Sequence, residues 1–175
     1  MNARELEEYR ALRETIQRRG SARVWIFLAG LSVWAALTVS TAALAELPVA
    51  TLLPLLILAA TFEAILSLHI GVERIGRYIQ VFFEEADPGW EHRIMEYGRL
   101  APRTGSDPLF SIHFLIATLF NVVPAVLASP LPIEYAVVGA AHVLFLIRII
   151  VARRHAAGQR ARDLDVFRRL RTPGA

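Results

Sequence analysis

Four long apolar stretches alternate with charged segments along the chain. The stretches cover residues 22–45, 49–71, 109–129 and 132–152. Each is close to the ~20 apolar residues that an α-helix needs to cross the ~30 Å hydrocarbon core of a bilayer. The pattern therefore predicts an all-α integral membrane protein, a four-helix bundle whose helices extend into the cytoplasm. Residues 22–152 form this predicted four-span domain.

The charged N-terminal segment, residues 1–21, has a helical pattern of its own. Asn2 and Glu5 fit a capping box, and the apolar residues that follow recur at helical spacing as far as Ile16. Glycine disfavours the helix interior. We therefore expect an amphipathic cytoplasmic helix that is broken at Gly20.

Helical periodicity also continues beyond the second and fourth apolar stretches. Nothing between Gly71 and Glu85 breaks a helix, so the second helix is expected to run on to about Glu85. Asp87 is expected to cap a short helix that follows within a cytoplasmic loop, residues 72–108. Residues 153–175 are expected to form a basic cytoplasmic helix.

These cytoplasmic extensions carry apolar residues at helical spacing, opposite a polar face. Such a face is expected to dock against a partner or against further copies of the chain. The predicted docking residues are Ile75, Ile79, Phe82, Phe83, Trp90 and Phe167.

Charge adds an orientation to this picture. All 19 basic residues are arginine: six precede or open the first stretch, five lie between the second and third, and seven follow the fourth, with Arg148 just inside it. Because cytoplasmic loops retain Lys and Arg, both termini and the loop are predicted to be cytoplasmic, and the first span is predicted to be an uncleaved anchor. No basic face with aromatic platforms is evident, so nucleic acid is not an expected partner.

Polar residues within the apolar stretches are the main candidates for function. A charge inside the bilayer is costly, so Glu63 is expected to face the bundle interior or water and to pair with His142 or Arg148, or else to be protonated. Asn121 is expected to belong to the same polar seam. The seam has two interpretations: a structural hydrogen bond between helices, or a path for ions or protons.

Two further histidines suggest a cofactor alternative. His69 and His113 lie at similar depth near the cytoplasmic ends of their spans, and facing histidines in a helical bundle can ligate haem iron. The leading expectation is that the chain holds no cofactor, with haem as the alternative.

Composition removes several kinds of chemistry. The chain has no cysteine and no lysine, which excludes disulfides, thiolate metal sites and Schiff-base catalysis. It also lacks a phosphate-binding loop and the motifs of metalloproteases and serine hydrolases. The stretch "HIGVERIGRYIQVFFEE" resembles segments of small bacterial membrane proteins, a likeness that implies no particular activity and no residue roles. The predicted location is the bacterial inner membrane.

These patterns lead to three functional hypotheses. The first is a non-enzymatic membrane scaffold or accessory subunit that oligomerises or docks onto a larger membrane complex. The second is an oligomeric ion channel or pore-forming effector with a polar seam at Glu63. The third is a small haem-binding membrane electron carrier.

Overall fold

The computed structural model describes residues 1–44, 47–85, 87–101 and 107–172. The ends of the predicted first stretch and C-terminal helix, and part of the loop 72–108, lie outside them. Within the described residues the chain is helical and contains no strand, which confirms the all-α prediction. The helices are α1 (Ala3–Leu44), α2 (Leu52–Phe82), α3 (Trp90–Leu100), α4 (Ser111–Leu127) and α5 (Pro132–Arg171), with a 3-10 turn at Pro48–Thr51.

Among the described residues, three helices are long and apolar enough to cross a membrane. They are α1, α2 and α5. The fourth apolar helix, α4, has 17 residues, which is the lower limit for a transmembrane helix. The structure therefore supports a membrane protein with three long apolar helices, and the four-span bundle stays a prediction.

The helix ends agree with the sequence at some points and correct it at others. The capping box is confirmed, because the Glu5 N–H donates to the Asn2 side chain (2.9 Å) and the Asn2 N–H donates to the Glu5 carboxylate (2.8 Å). The predicted break at Gly20 is wrong, since α1 continues through it. One glycine costs a helix only about 1 kcal/mol, too little to interrupt a 42-residue element. The second helix ends at Phe82, one turn before the predicted Glu85.

The N-terminus of α3 is capped by a side chain that lies several residues before the helix. Asp87 was the expected cap, but the residue at the cap position is Gly89, which has no side chain to accept a bond. The Glu84 carboxylate instead accepts hydrogen bonds from the backbone N–H groups of Glu91 (2.9 Å) and His92 (3.2 Å). A carboxylate bound to the free N–H groups of a helix stabilises its first turn, so Glu84 does what Asp87 was predicted to do.

The chain divides into two compact units. Unit 1 comprises residues 1–22, 67–106 and 154–175, and unit 2 comprises residues 23–66 and 107–153. Helices α1, α2 and α5 contribute residues to both units. All but three of the 19 arginines belong to unit 1, so the two units differ sharply in polarity.

Phenylalanine rings form the centre of unit 2. Phe62 of α2 is fully buried and contacts Phe114 and Phe145 edge-on, at centroid distances of 5.3 and 6.1 Å. Phe27 of α1 extends the cluster to Phe110, on which it stacks at 4.2 Å. Edge-to-face and stacked ring pairs stabilise such contacts beyond their buried area.

A second aromatic cluster holds unit 1 together. Tyr78 of α2 stacks on Phe82 at 4.5 Å and contacts Phe167 of α5 edge-on at 5.6 Å. Tyr9 of α1 contacts Phe83 at 5.7 Å. Residues from both chain ends and from α2 therefore share one small core.

Candidate functional site

Asn121 of α4 is completely buried and binds three other segments of unit 2. Its Nδ2 donates to the Thr51 carbonyl (2.9 Å) and lies 3.0 Å from Nε2 of His142, while its Oδ1 accepts from Trp34 Nε1 (3.0 Å). Nδ1 of His142 is 2.8 Å from the Val138 carbonyl. A carbonyl only accepts, so Nδ1 carries the proton and Nε2 accepts from Asn121. The amide has both of its protons bonded, which is typical of a structural interhelical contact.

Glu63 and Arg148 form a two-bond ion pair on the surface of unit 2. Glu63 Oε1 lies 2.8 Å from Arg148 Nε, and Oε2 lies 2.8 Å from Nη2. Two parallel bonds of this kind are the strongest geometry between arginine and a carboxylate. The Glu63 side chain is 47% exposed and that of Arg148 is 43% exposed.

The predicted polar seam therefore separates into two groups. Asn121 and His142 are bonded in the interior, whereas Glu63 and Arg148 are bonded to each other on the outside. Glu63 pairs with Arg148, one of its two predicted partners, and the pair is half-exposed on the surface of unit 2 instead of facing its interior. The ion pair with the neighbouring helix reduces the cost of this outward position.

An apolar groove of about 400 Å³ adjoins the ion pair. It lies between α2 and α5, and its lining consists of Leu52, Leu55, Leu56, Ala59, Ala141 and Phe145. Glu63 and Arg148 follow within one helical turn of Ala59 and Phe145. We call the groove together with the ion pair the α2–α5 face. In the sequence, the apolar residues of this face look like any other apolar residues of the spans, so no sequence signal predicts the groove.

The two candidate haem ligands belong to different units. His69 is buried in unit 1, and His113 is an exposed residue of unit 2. The His113 ring contacts Phe27 edge-on at 5.4 Å. In the part of the chain that the structure describes, no three His, Asp or Glu side chains form a metal-binding group. Haem ligation stays a prediction.

Most of the predicted cytoplasmic docking residues pack within unit 1. Ile79 is fully buried and Ile75 is half-buried, whereas Trp90 is 61% exposed. The remaining three belong to the aromatic cluster of unit 1: Phe82, Phe83 and Phe167. This corrects the expectation of an open apolar face. The apolar residues of the cytoplasmic extensions pack against one another within unit 1, and of the predicted docking residues Trp90 is left exposed.

The comparisons with known proteins give no relative. No family model matches the chain, and no curated protein and no solved structure matches it. A functional interpretation therefore depends on the geometry of the two units.

Proposed function

We propose that the chain is a non-enzymatic, multi-pass scaffold subunit of the bacterial inner membrane that assembles with a second copy of itself. The observation that carries the proposal is the Glu63–Arg148 ion pair, which lies half-exposed beside an apolar groove of unit 2. The second copy covers the α2–α5 face.

A protein surface covers such an ion pair better than lipid does. Glu63 is the only Asp, Glu, Lys or Arg in residues 47–66, and Arg148 is the only one in residues 135–152. Lipid chains offer no hydrogen-bonding group to the exposed half of these side chains. A polar partner within the bilayer supplies the missing hydrogen bonds, and the neighbouring groove supplies apolar area for helix packing.

Two-fold symmetry makes the α2–α5 face complementary to its own copy. The groove contacts and the ion pair occur in the same order along α2 and α5, so the two helices run parallel. Copies inserted in the same orientation are related by an axis along the membrane normal. Such an axis sets Glu63 opposite the partner's Arg148 and Arg148 opposite the partner's Glu63. The result is a square of four alternating charges.

The arginine distribution supports the orientation that goes with this proposal. Unit 1 contains both termini and nearly all the arginines, whereas the connections at residues 46–48 and 129–132 contain none. By the positive-inside rule, unit 1 lies in the cytoplasm and these two connections lie on the opposite side.

Charge reversal tests self-association. Glu63→Arg brings two guanidinium groups together within each chain and again across the two-fold axis. We expect the association constant to fall at least about ten-fold, equivalent to about 1.4 kcal/mol. Combining Glu63→Arg with Arg148→Glu restores every opposite-charge contact and is expected to restore the dimer. The measurement is the dimer fraction in liposomes at increasing dilution, by single-molecule photobleaching.

The matched control reverses an arginine of the same helix away from the face. Arg169 pairs with Asp165 and both side chains are well exposed, so Arg169→Glu is expected to leave the dimer fraction unchanged. A chain that is monomeric at every density overturns the proposal. So does a dimer that tolerates Glu63→Arg.

Cysteine cross-linking checks the geometry of the interface, since the chain has no native cysteine. Ala60 and Leu144 are exposed on α2 and α5, each about one turn before the ion pair. Copies with Ala60→Cys should form disulfides with copies carrying Leu144→Cys, and Leu119→Cys on α4 should not react.

A further inference from the structure

Unit 1 contains a pocket of about 340 Å³ to which all four of its helical segments contribute. One part of the lining is apolar and includes Trp90, Ile94 and Met95 of α3. The rest is charged and comes from α1, α2, α3 and α5. The volume is within the range of small-molecule sites, but the lining is more polar than that of most such sites.

The charged lining contains three arginines and two glutamates, and two of the arginines are already bonded. Arg13 donates to Glu91 at 2.6 Å. Arg77 donates through its two terminal nitrogens to Glu73 (3.1 Å) and to Asp163 (2.7 Å). These bonds pair Arg13 and Arg77 with carboxylates and leave Arg160 as the arginine of the lining that is not bonded to a carboxylate of the described residues.

Two cationic side chains in the pocket have unused donors. The Arg77 side chain is 7% exposed, and its Nε has no hydrogen-bond partner among the described residues. Arg160 is half-buried and makes no hydrogen bond or ion pair with any residue that the structure describes. Burial lowers the pKa of Arg160, even though Glu73 and Glu91 attract its charge. The charge of Arg160, which is partly removed from water, is stabilised when an anion reaches it.

We propose that this pocket binds a small organic acid as its carboxylate, paired with the Arg160 guanidinium. Guanidinium groups match the planar geometry of a carboxylate with two parallel bonds. Arg160, which is not bonded to a carboxylate of the described residues, offers one guanidinium for one carboxylate of the ligand. The apolar part of the acid lies against the α3 side chains of the lining, including Trp90. The pocket belongs entirely to unit 1, so this proposal is independent of self-association.

A ligand-observed titration tests the pocket. The chain in phosphatidylcholine nanodiscs is titrated into para-fluorobenzoate, and the fluorine NMR line width is followed, with empty nanodiscs as the blank. We expect the chain to broaden the line and the blank to leave it sharp. Arg160→Gln is expected to weaken binding by about ten-fold or more, because it removes the charge that pairs with the carboxylate.

Two further variants separate the pocket from general electrostatics. Arg162→Gln removes an exposed arginine two residues away on α5 and is expected to leave the affinity unchanged. Glu91→Gln removes a negative charge from the lining and releases Arg13 from its ion pair, so binding is expected to become several-fold tighter. This gain keeps the test decisive where Arg160→Gln fails to fold.

The remaining outcomes overturn the assignment. A line that stays sharp with the wild-type chain, or equal broadening by wild type, Arg160→Gln and Glu91→Gln, shows that the pocket binds no carboxylate.

Phosphatidylglycerol added to the nanodiscs provides a competing source of anionic groups. Displacement of the probe by this lipid would assign the pocket to a lipid phosphodiester instead of a free acid.

Discussion

One amide, that of Asn121, joins α4 to three other segments of unit 2. Its partners are the Trp34 indole, the Thr51 carbonyl and the neutral ring of His142. Thr51 and His142 are buried, and Trp34 is half-buried. The amide therefore fixes the position of α4 more firmly than the apolar contacts of that helix, which are interchangeable with lipid contacts.

Asn121→Leu is expected to destabilise unit 2 although it adds apolar surface. The substitution leaves the Trp34 N–H and the Thr51 carbonyl without their Asn121 partner, and an unsatisfied buried group costs about 1–3 kcal/mol. We expect the SDS concentration at the midpoint of unfolding to fall accordingly.

Thr118→Val is the matched control for this substitution. Thr118 is fully buried on the same helix, but its hydroxyl donates to the Phe114 carbonyl of α4 itself (2.6 Å). Its loss breaks no bond between segments, so the unfolding midpoint is expected to change far less. Equal midpoints for Asn121→Leu and wild type would show that the amide does not hold α4 in place.

At the residue scale, the sequence predicts which side chains form a pair better than it predicts whether the pair is buried or exposed. Depth counted along the spans places Glu63 near both Arg148 and His142, and the structure pairs it with Arg148. Its exposure is not predictable, because α2 is apolar around most of its circumference and periodicity then leaves the outward face undefined. Arg160 gives no signal either. It is one of several arginines on α5, and only packing against the other helices distinguishes it.

At the element scale, the sequence predicts which helices form but not where they end. The apolar stretches predict the long helices, but α1 continues through Gly20 and α3 is capped by Glu84. The two differences have separate causes. A local propensity of about 1 kcal/mol is smaller than what a helix gains from packing along its length, and a cap can come from a residue that is distant in sequence.

Two glycines of α1 are expected to respond oppositely to alanine. A Cβ at Gly20 meets no atom within 4 Å, so Gly20→Ala should stabilise the chain by about 0.5–1 kcal/mol through the unfolded state. A Cβ at Gly30 overlaps the side chain of Thr61, where α1 lies close to α2. Gly30→Ala should therefore cost about 1–3 kcal/mol.

Unfolding midpoints of the two alanine variants, measured side by side, test this contrast. The Thr61 hydroxyl is bonded to the Ile57 carbonyl (2.7 Å), which limits how far the side chain can turn away. If Gly30→Ala were as stable as Gly20→Ala, the approach of α1 to α2 in unit 2 would be looser than the structure shows.

At the scale of the whole molecule, the charge pattern carries information that the fold does not. The structure divides the chain into an arginine-rich unit and an apolar unit, and the positive-inside rule assigns a side to the first. The number of spans depends on α4. Its 17 residues reach about 25 Å at about 1.5 Å per residue, slightly less than the ~30 Å hydrocarbon core.

Single cysteines decide the topology, since the chain has none of its own. Leu47, Leu100 and Leu131 are exposed at the ends of helices and are 64%, 80% and 64% accessible. In intact cells a membrane-impermeant maleimide should label the Leu47→Cys and Leu131→Cys variants. The Leu100→Cys variant should react only after the membrane has been permeabilised.

Position 131 is the one that tests α4. If α4 crosses the bilayer, residues 100 and 131 lie on opposite sides and their labelling differs as described. If α4 lies within one leaflet or packs beside the spans, Leu131→Cys reacts only after permeabilisation, together with Leu100→Cys. In that case α5 would enter from the cytoplasmic side and run antiparallel to α2, against their parallel arrangement in unit 2, and the C-terminus would be external. An odd number of spans would place the C-terminal arginines against the positive-inside rule, which is the physical reason that we expect four.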